Sequence, residues 1–140
     1  MGRQTYVDEL AKVPLFSTCS KAELQAIGRA TDELTLGAGR VLCEQGGMGR
    51  EAFVIVDGEA EVRRNNRRVA ALGPGDCVGE LALLDRQPRT ATVTASTDLR
   101  VLVIGTREFE ALLATAPSIM HKLLGSLGAR LRGLDTKAFG

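Results

Sequence analysis

The chain has 140 residues, and 18 Lys and Arg against 17 Asp and Glu leave a formal charge of +1. Its 44% hydrophobic and 25% charged residues make an ordinary globular composition, long enough for one domain with a real core. The near-zero charge argues against a dedicated DNA-wrapping protein; no apolar run approaches the roughly 18 residues of a membrane span, and no charged-then-apolar leader opens the chain, so a cytoplasmic protein is expected.

In chain order, residues 5–34 read as helices. Pro14 breaks the first pattern at Pro14-Leu15-Phe16. Ser20 and Glu23 then stand at capping-box spacing, with Leu24 and Ile27 following at helical intervals and Leu34 near the end of the pattern. Residues 35–104 change character to short alternating or β-branched runs separated by glycine. They are Val41-Leu42-Cys43, Phe53-Val54-Ile55-Val56, Ala60-Glu61-Val62, Val69-Ala70-Ala71-Leu72, residues 90–97 and residues 99–104. Asp57-Gly58 and Asn65-Asn66 lie between runs, where hairpin turns need positive φ. Short strands so spaced predict an antiparallel sandwich or barrel.

Residues 106–134 return to helical spacing. Phe109, Leu112 and Leu113 make one face, Pro117 is suited to open a second helix, and Ile119, Met120, Leu123, Leu124, Leu127, Leu131 and Leu134 recur at three and four. Gly125, Gly128 and Gly133 each weaken that helix by up to about 1 kcal/mol relative to Ala, which marks it as a mobile element. Helix, about eight strands, helix is an α+β order rather than an alternating βαβ one.

Several chemistries find no support. Cys19, Cys43 and Cys77 are odd in number and lack a C-x-x-C pair, and with the single His121 they supply no zinc site and no disulfide framework. His121 has no nucleophile or acid at a recognisable spacing. The 4% aromatic content is too low for a base-stacking single-strand binder. Gly73, Gly75 and Gly79 do not match the spacing of a dinucleotide fingerprint. The run Arg63-Arg64-Asn65-Asn66-Arg67-Arg68 reads as a solvated basic hairpin tip, with an anionic partner as the alternative.

One insertion, residues 73–89, interrupts the strands. Within it, residues 80–85 are strong helix formers barely one turn long, preceded by Gly79. The free amides and dipole at such a helix start attract an anion. Arg89 returns a guanidinium whose planar fork suits phosphate, and Glu80 offers an acceptor suited to a ribose hydroxyl. The loop therefore has the parts to hold a sugar phosphate.

The string Gly79-Glu80-Leu81-Ala82-Leu83-Leu84, followed by Pro88-Arg89-Thr90-Ala91-Thr92-Val93, resembles the phosphate-binding cassette of the cyclic nucleotide-binding domain family. That family includes the catabolite activator protein, protein kinase A regulatory subunits and cyclic-nucleotide-gated channels. The Val13-Pro14-Leu15-Phe16 segment, the glycine-punctuated strands and the two closing helices extend the likeness over nearly the whole chain. The resemblance implies an antiparallel β-roll, a jelly-roll-like barrel of about eight strands over residues 35–104. Helices over 5–34 and 106–134 would flank it, with a short helix in the phosphate-binding loop, as one domain spanning 1–140.

By the same resemblance Glu80 matches the acid that binds the ribose 2′-hydroxyl and Arg89 the arginine that pairs with the cyclic phosphate. Thr90 matches a neighbouring position that touches phosphate or, in cGMP-preferring members, guanine. Gly79, Leu81 and Ala82 match backbone that lies against phosphate and ribose. Val62, Val69 and Val78 match apolar positions that pack on the base, and Arg130 and Leu134 fall where related channels cap it. Plainer roles compete: Glu80 as a cap of its short helix, Thr90 as a strand former, Arg130 as a solvated residue and Leu134 as part of the core stripe.

The expected function is a non-enzymatic sensor that binds cAMP first and cGMP second, without metal, and repositions its last helix on binding. A hydrolytic enzyme for cyclic nucleotides would need a His and Asp metal cluster, which one His does not provide. The alternative is a ligand-free interaction or dimerisation module of the same fold. Expected partners beyond the nucleotide are a second copy of the chain, through the apolar closing helix, or a downstream effector protein or domain. With only Asp135 to Gly140 expected after the last helix, no room for a helix-turn-helix is expected, so DNA binding by this chain alone is not expected.

Overall fold

A computed structural model describes residues 6–79 and 88–139, with side chains described as far as residue 128. The chain opens with α1 (Tyr6–Ala11), a 3-10 turn (Pro14–Phe16) and α2 (Lys21–Arg29). Eight strands follow: β1 (Asp32–Leu36), β2 (Val41–Cys43), β3 (Glu51–Asp57), β4 (Ala60–Arg64), β5 (Arg67–Leu72), β6 (Cys77–Val78), β7 (Thr92–Ala95) and β8 (Leu99–Gly105). Two helices close it, α3 (Thr106–Thr115) and α4 (Pro117–Phe139). Among the described residues no helix is long and apolar enough to cross a membrane.

The strands form two antiparallel four-stranded sheets, ordered β1-β8-β3-β6 and β2-β7-β4-β5. Their interleaved order makes the β-roll expected from the sequence. The central strands of the first sheet, β3 and β8, are apolar on both faces. Along β3, Phe53 and Ile55 point into the roll, with Leu36, Val93, Leu99 and Val101. Ala52 and Val54 point the other way, into a second core built from Leu10, Phe16, Ile27, Leu102, Ile104, Phe109 and Ile119. Side chains alternate across a strand, so the unbroken run Ala52 to Ile55 is what a sheet buried on both faces requires.

The two asparagines at the β4–β5 turn adopt positive φ, 53° at Asn65 and 64° at Asn66, as a tight hairpin needs. The helical span expected over 5–34 ends earlier, at Arg29. Leu34 lies in β1, paired with Val101, because its neighbours complete the sheet edge beside β8. The strand expected from residue 90 begins at Thr92, two residues after Thr90. The short helix expected at 80–85 lies outside the described residues.

The capping box of α2 forms as its spacing predicts. Ser20 Oγ accepts from the Glu23 amide at 3.2 Å, and Glu23 Oε1 accepts from the Ser20 amide at 2.7 Å. The same carboxylate also holds α4. It accepts from Lys122 Nζ at 2.7 Å and from Ser118 Oγ at 2.6 Å. With Ile119 and Leu123 buried beneath, the first turns of α4 are fastened to the N-terminal helices.

These donors, Lys122 first, lower the Glu23 pKa from its ordinary 4.5 to about 2. A depressed carboxylate pKa stabilises the fold above the unfolded-state value and loses that contribution as pH falls toward the folded-state value. Acid titration of stability is therefore expected to show a loss from pH 4.5 down to about 2 that Glu23→Gln reduces. Ser20→Ala, which removes the other half of the box, is expected to lower urea-measured stability by about 1 kcal/mol.

Candidate functional site

A cleft opens in the roll between β4, β6 and β7. Val62, Val78 and Val93 give it an apolar floor, and Gly79, Arg89 and Thr90 form its polar wall. Five of the residues singled out from the sequence thus meet at one place: Gly79, Arg89, Thr90, Val62 and Val78.

Arg89 is fixed from both its backbone and its side chain. Its amide donates to the Gly47 carbonyl at 2.7 Å, and its own carbonyl accepts from the Gly46 amide at 2.8 Å. Nη2 donates to the Glu51 carbonyl at 2.6 Å. Two glycines make room for the guanidinium. A Cβ at Gly49 would stand 2.5 Å from Arg89 Cζ, and one at Gly79 would collide with Arg89 Nη1. Gly79 also has φ +75°, a conformation that side chains disfavour, so glycine is required there twice over.

The slot leaves one donor unsatisfied. Arg89 Nη1 is buried and has no hydrogen-bond partner among the described residues. A buried cationic N–H without an acceptor is costly, and a bound anion offsets that cost. This orphaned donor is the observation in the structure that fits an anionic ligand. Within the cleft, burial pushes the Cys43 thiol up from its ordinary pKa, against the pull of the Arg89 charge, so it stays protonated at neutral pH. Its Sγ donates to the Ala91 carbonyl at 3.6 Å.

A second cavity, about 480 Å³, is lined by Gly49, Glu51, Gly105, Arg107 and Glu108 among others. It exceeds the cleft, about 240 Å³, in volume. Its charges come in both signs, and it lacks an orphaned donor among the described residues. Chemistry rather than size selects the cleft.

The remaining sequence-derived residues divide in two. Val69 does not join the cleft and is 52% exposed. A bulge explains this: Val62 pairs with Ala70 and Arg63 with Arg68, so Val69 is the extra residue of β5, and Leu72 lines the cleft instead. Glu80, Leu81 and Ala82 lie outside the described residues. Arg130 and Leu134 belong to α4, but their side chains lie outside the described part.

Sequence reasoning missed Gly49 and Glu51, which shape the Arg89 slot from a distant loop and carry no motif. It also placed Arg64 on the solvated hairpin tip, whereas Arg64 lines the cleft. The period of two from Ala60 through Val62 to Arg64 was the available signal.

Comparison with known proteins agrees with this geometry. Residues 33–116 match the cyclic nucleotide-binding domain family. The chain is 37% identical over 120 residues to a cAMP-dependent protein kinase regulatory subunit of Schizosaccharomyces pombe, covering 85% of this chain and 29% of that protein. It is 38% identical over 110 residues to a cyclic nucleotide-gated potassium channel of Mesorhizobium japonicum, covering 79% of this chain and 30% of the channel. The chain thus spans less than a third of these curated relatives. Among solved structures it is similar to the N-terminal domain of a transcriptional regulator from Streptomyces coelicolor, with TM-score 0.87 and 30% identity over 92% of this chain and 96% of that one. It is also similar to the regulatory domain of Toxoplasma gondii PKA crystallised with cAMP, with TM-score 0.72 and 29% identity over 79% of this chain and 44% of that one. A family match across most of the roll, around a glycine-walled arginine with an unmet donor, makes this chain a member of the cyclic nucleotide-binding domain family.

Proposed function

We propose that the domain is a non-catalytic sensor of cyclic nucleotides, with cAMP as first ligand and cGMP as second. The observation that carries this reading is the buried Arg89 Nη1 in its glycine slot. Arg89 would bind the cyclic phosphate together with the backbone of Gly79, Leu81 and Ala82, and Glu80 the ribose 2′-hydroxyl. Val62 and Val78 would pack on the base, with Arg130 and Leu134 the candidates to cover it from α4. The preference for cAMP draws support from the Toxoplasma structure solved with that ligand and from cAMP-dependent relatives. Those relatives are regulatory subunits and channels, so the output of this domain would pass to an effector protein or domain.

The sensing element in this reading is α4. Its first part is held by Glu23, and Thr18 Oγ1 lies 3.4 Å from Ser126 Oγ. Gly125 has open space around it, and Gly128 and Gly133 follow, so the helix weakens beyond its anchor. Ligand that binds better when this part closes over the cleft shifts the population toward the closed state.

Two measurements test the reading. Calorimetric titration of wild type with cAMP is expected to show saturable binding that Arg89→Ala weakens at least about tenfold, since hydrogen bonds to charged groups contribute about 1.5–3 kcal/mol. Folded wild-type protein that binds neither nucleotide would leave a ligand-free interaction module as the reading. Amide hydrogen exchange is expected to slow in α4 beyond Gly128 when cAMP is added; equal protection with and without ligand rules out the helix switch.

A further inference from the structure

Arg64 ends β4 on the face of the strand that lines the cleft. Ala60, Val62 and Arg64 alternate toward the roll interior, while Glu61 and Arg63 face the other way and pair with each other at 2.5 Å. Glu61 is engaged a second time by Arg68, at 3.6 Å, so it does not compete for Arg64. The hairpin tip that follows Arg64 is tied down by Gln45, which accepts from the Asn65 amide at 2.8 Å and donates to Asn65 Oδ1 at 2.9 Å.

The guanidinium itself is oriented. Arg64 Nε donates to the carbonyl of Thr90 at 3.2 Å, one residue beyond Arg89. That bond consumes one of the five donors of the side chain. The four on Nη1 and Nη2 have no protein partner among the described residues. A fork of donors therefore stands beside Val62, the residue assigned to the base, while the phosphate already has Arg89.

The acceptor that such a fork fits is the edge of an oxopurine. Guanine presents N7 and O6 side by side, both acceptors, and an arginine fork binds the two together. Adenine presents N7 next to an amino group, which is a donor facing donors. We propose that Arg64 reads the base: it takes N7 and O6 of a 6-oxopurine and so narrows the margin by which cAMP is preferred over cGMP. This rests on the cyclic nucleotide reading given above.

The test is titration of wild type, Arg64→Met and Arg64→Lys with cAMP, cGMP and cyclic IMP, which shares O6 and N7 with cGMP but lacks its 2-amino group. Arg64→Met is expected to weaken cGMP and cyclic IMP about tenfold while cAMP changes less than about threefold. Arg64→Lys is expected to behave like Met in this ratio, because it keeps the charge and loses the planar fork. Equal weakening of all three nucleotides would assign Arg64 to the phosphate and overturn the proposal, as would no change in any. Wild-type protein that binds no nucleotide overturns the parent reading and this one with it; wild-type binding with an unchanged cGMP to cAMP ratio in Arg64→Met overturns the Arg64 assignment alone. Arg64 is exposed, so both variants are expected to keep the wild-type circular dichroism.

Discussion

Much of the site's design serves one constraint: a guanidinium must be held half-buried with one donor unmatched among the described residues. Arginine cannot shed its charge to relieve that burial. The chain instead gives the Arg89 guanidinium a fixed acceptor, the Glu51 carbonyl on Nη2, and clamps its backbone between the Gly46 amide and the Gly47 carbonyl. It then leaves Nη1 unmet. Gly49 and Gly79 contribute by the absence of a side chain, since any Cβ at either position would occupy the space of the guanidinium. An anion binding at the cleft, as proposed, would meet a donor already oriented, so little of its binding energy would go into organising the arginine.

The central strands of the first sheet, β3 and β8, join the cleft side of the molecule to its helical side. β3 and β8 contribute alternate side chains to the roll interior and to the helical core. The strand that presents the Glu51 carbonyl to Arg89 is therefore the strand whose Ala52 and Val54 pack against the helices. Close-packed interiors transmit displacement rather than absorb it. On the helical side, Glu23 joins the start of α2 to Ser118 and Lys122 of α4. One carboxylate thus both caps a helix and fastens the element proposed to move.

Much of the architecture was legible in the residues. The capping box at Ser20 and Glu23, the positive φ of Asn65 and Asn66, Pro117 at the start of α4 and the helix-strands-helix order are local facts, set by hydrogen-bonding side chains and ring geometry within a few residues. The cassette motif brought Gly79, Arg89 and Thr90 to notice because its spacing is specific. The edges were less legible. β1 starts at Asp32, inside a segment whose polar residues show no strand alternation, because pairing with β8 decides it. Val69 has the right chemistry for the base wall and the wrong register, by one bulged residue.

The residues by themselves determined the fold class, the cassette and the cation that anchors it, since these follow from patterns a few residues long. The tertiary structure decided what surrounds that cation. Gly49 and Glu51 stand some forty residues before Arg89, and no local pattern brings them to it. Arg64 stands between the two cases: the period of two from Ala60 through Val62 puts it on the cleft face of its strand, but as a sequence it is one basic residue of four around a hairpin tip. Only the pairing of β4 with β7, which sets Thr90 beside it, turns its guanidinium toward the cleft.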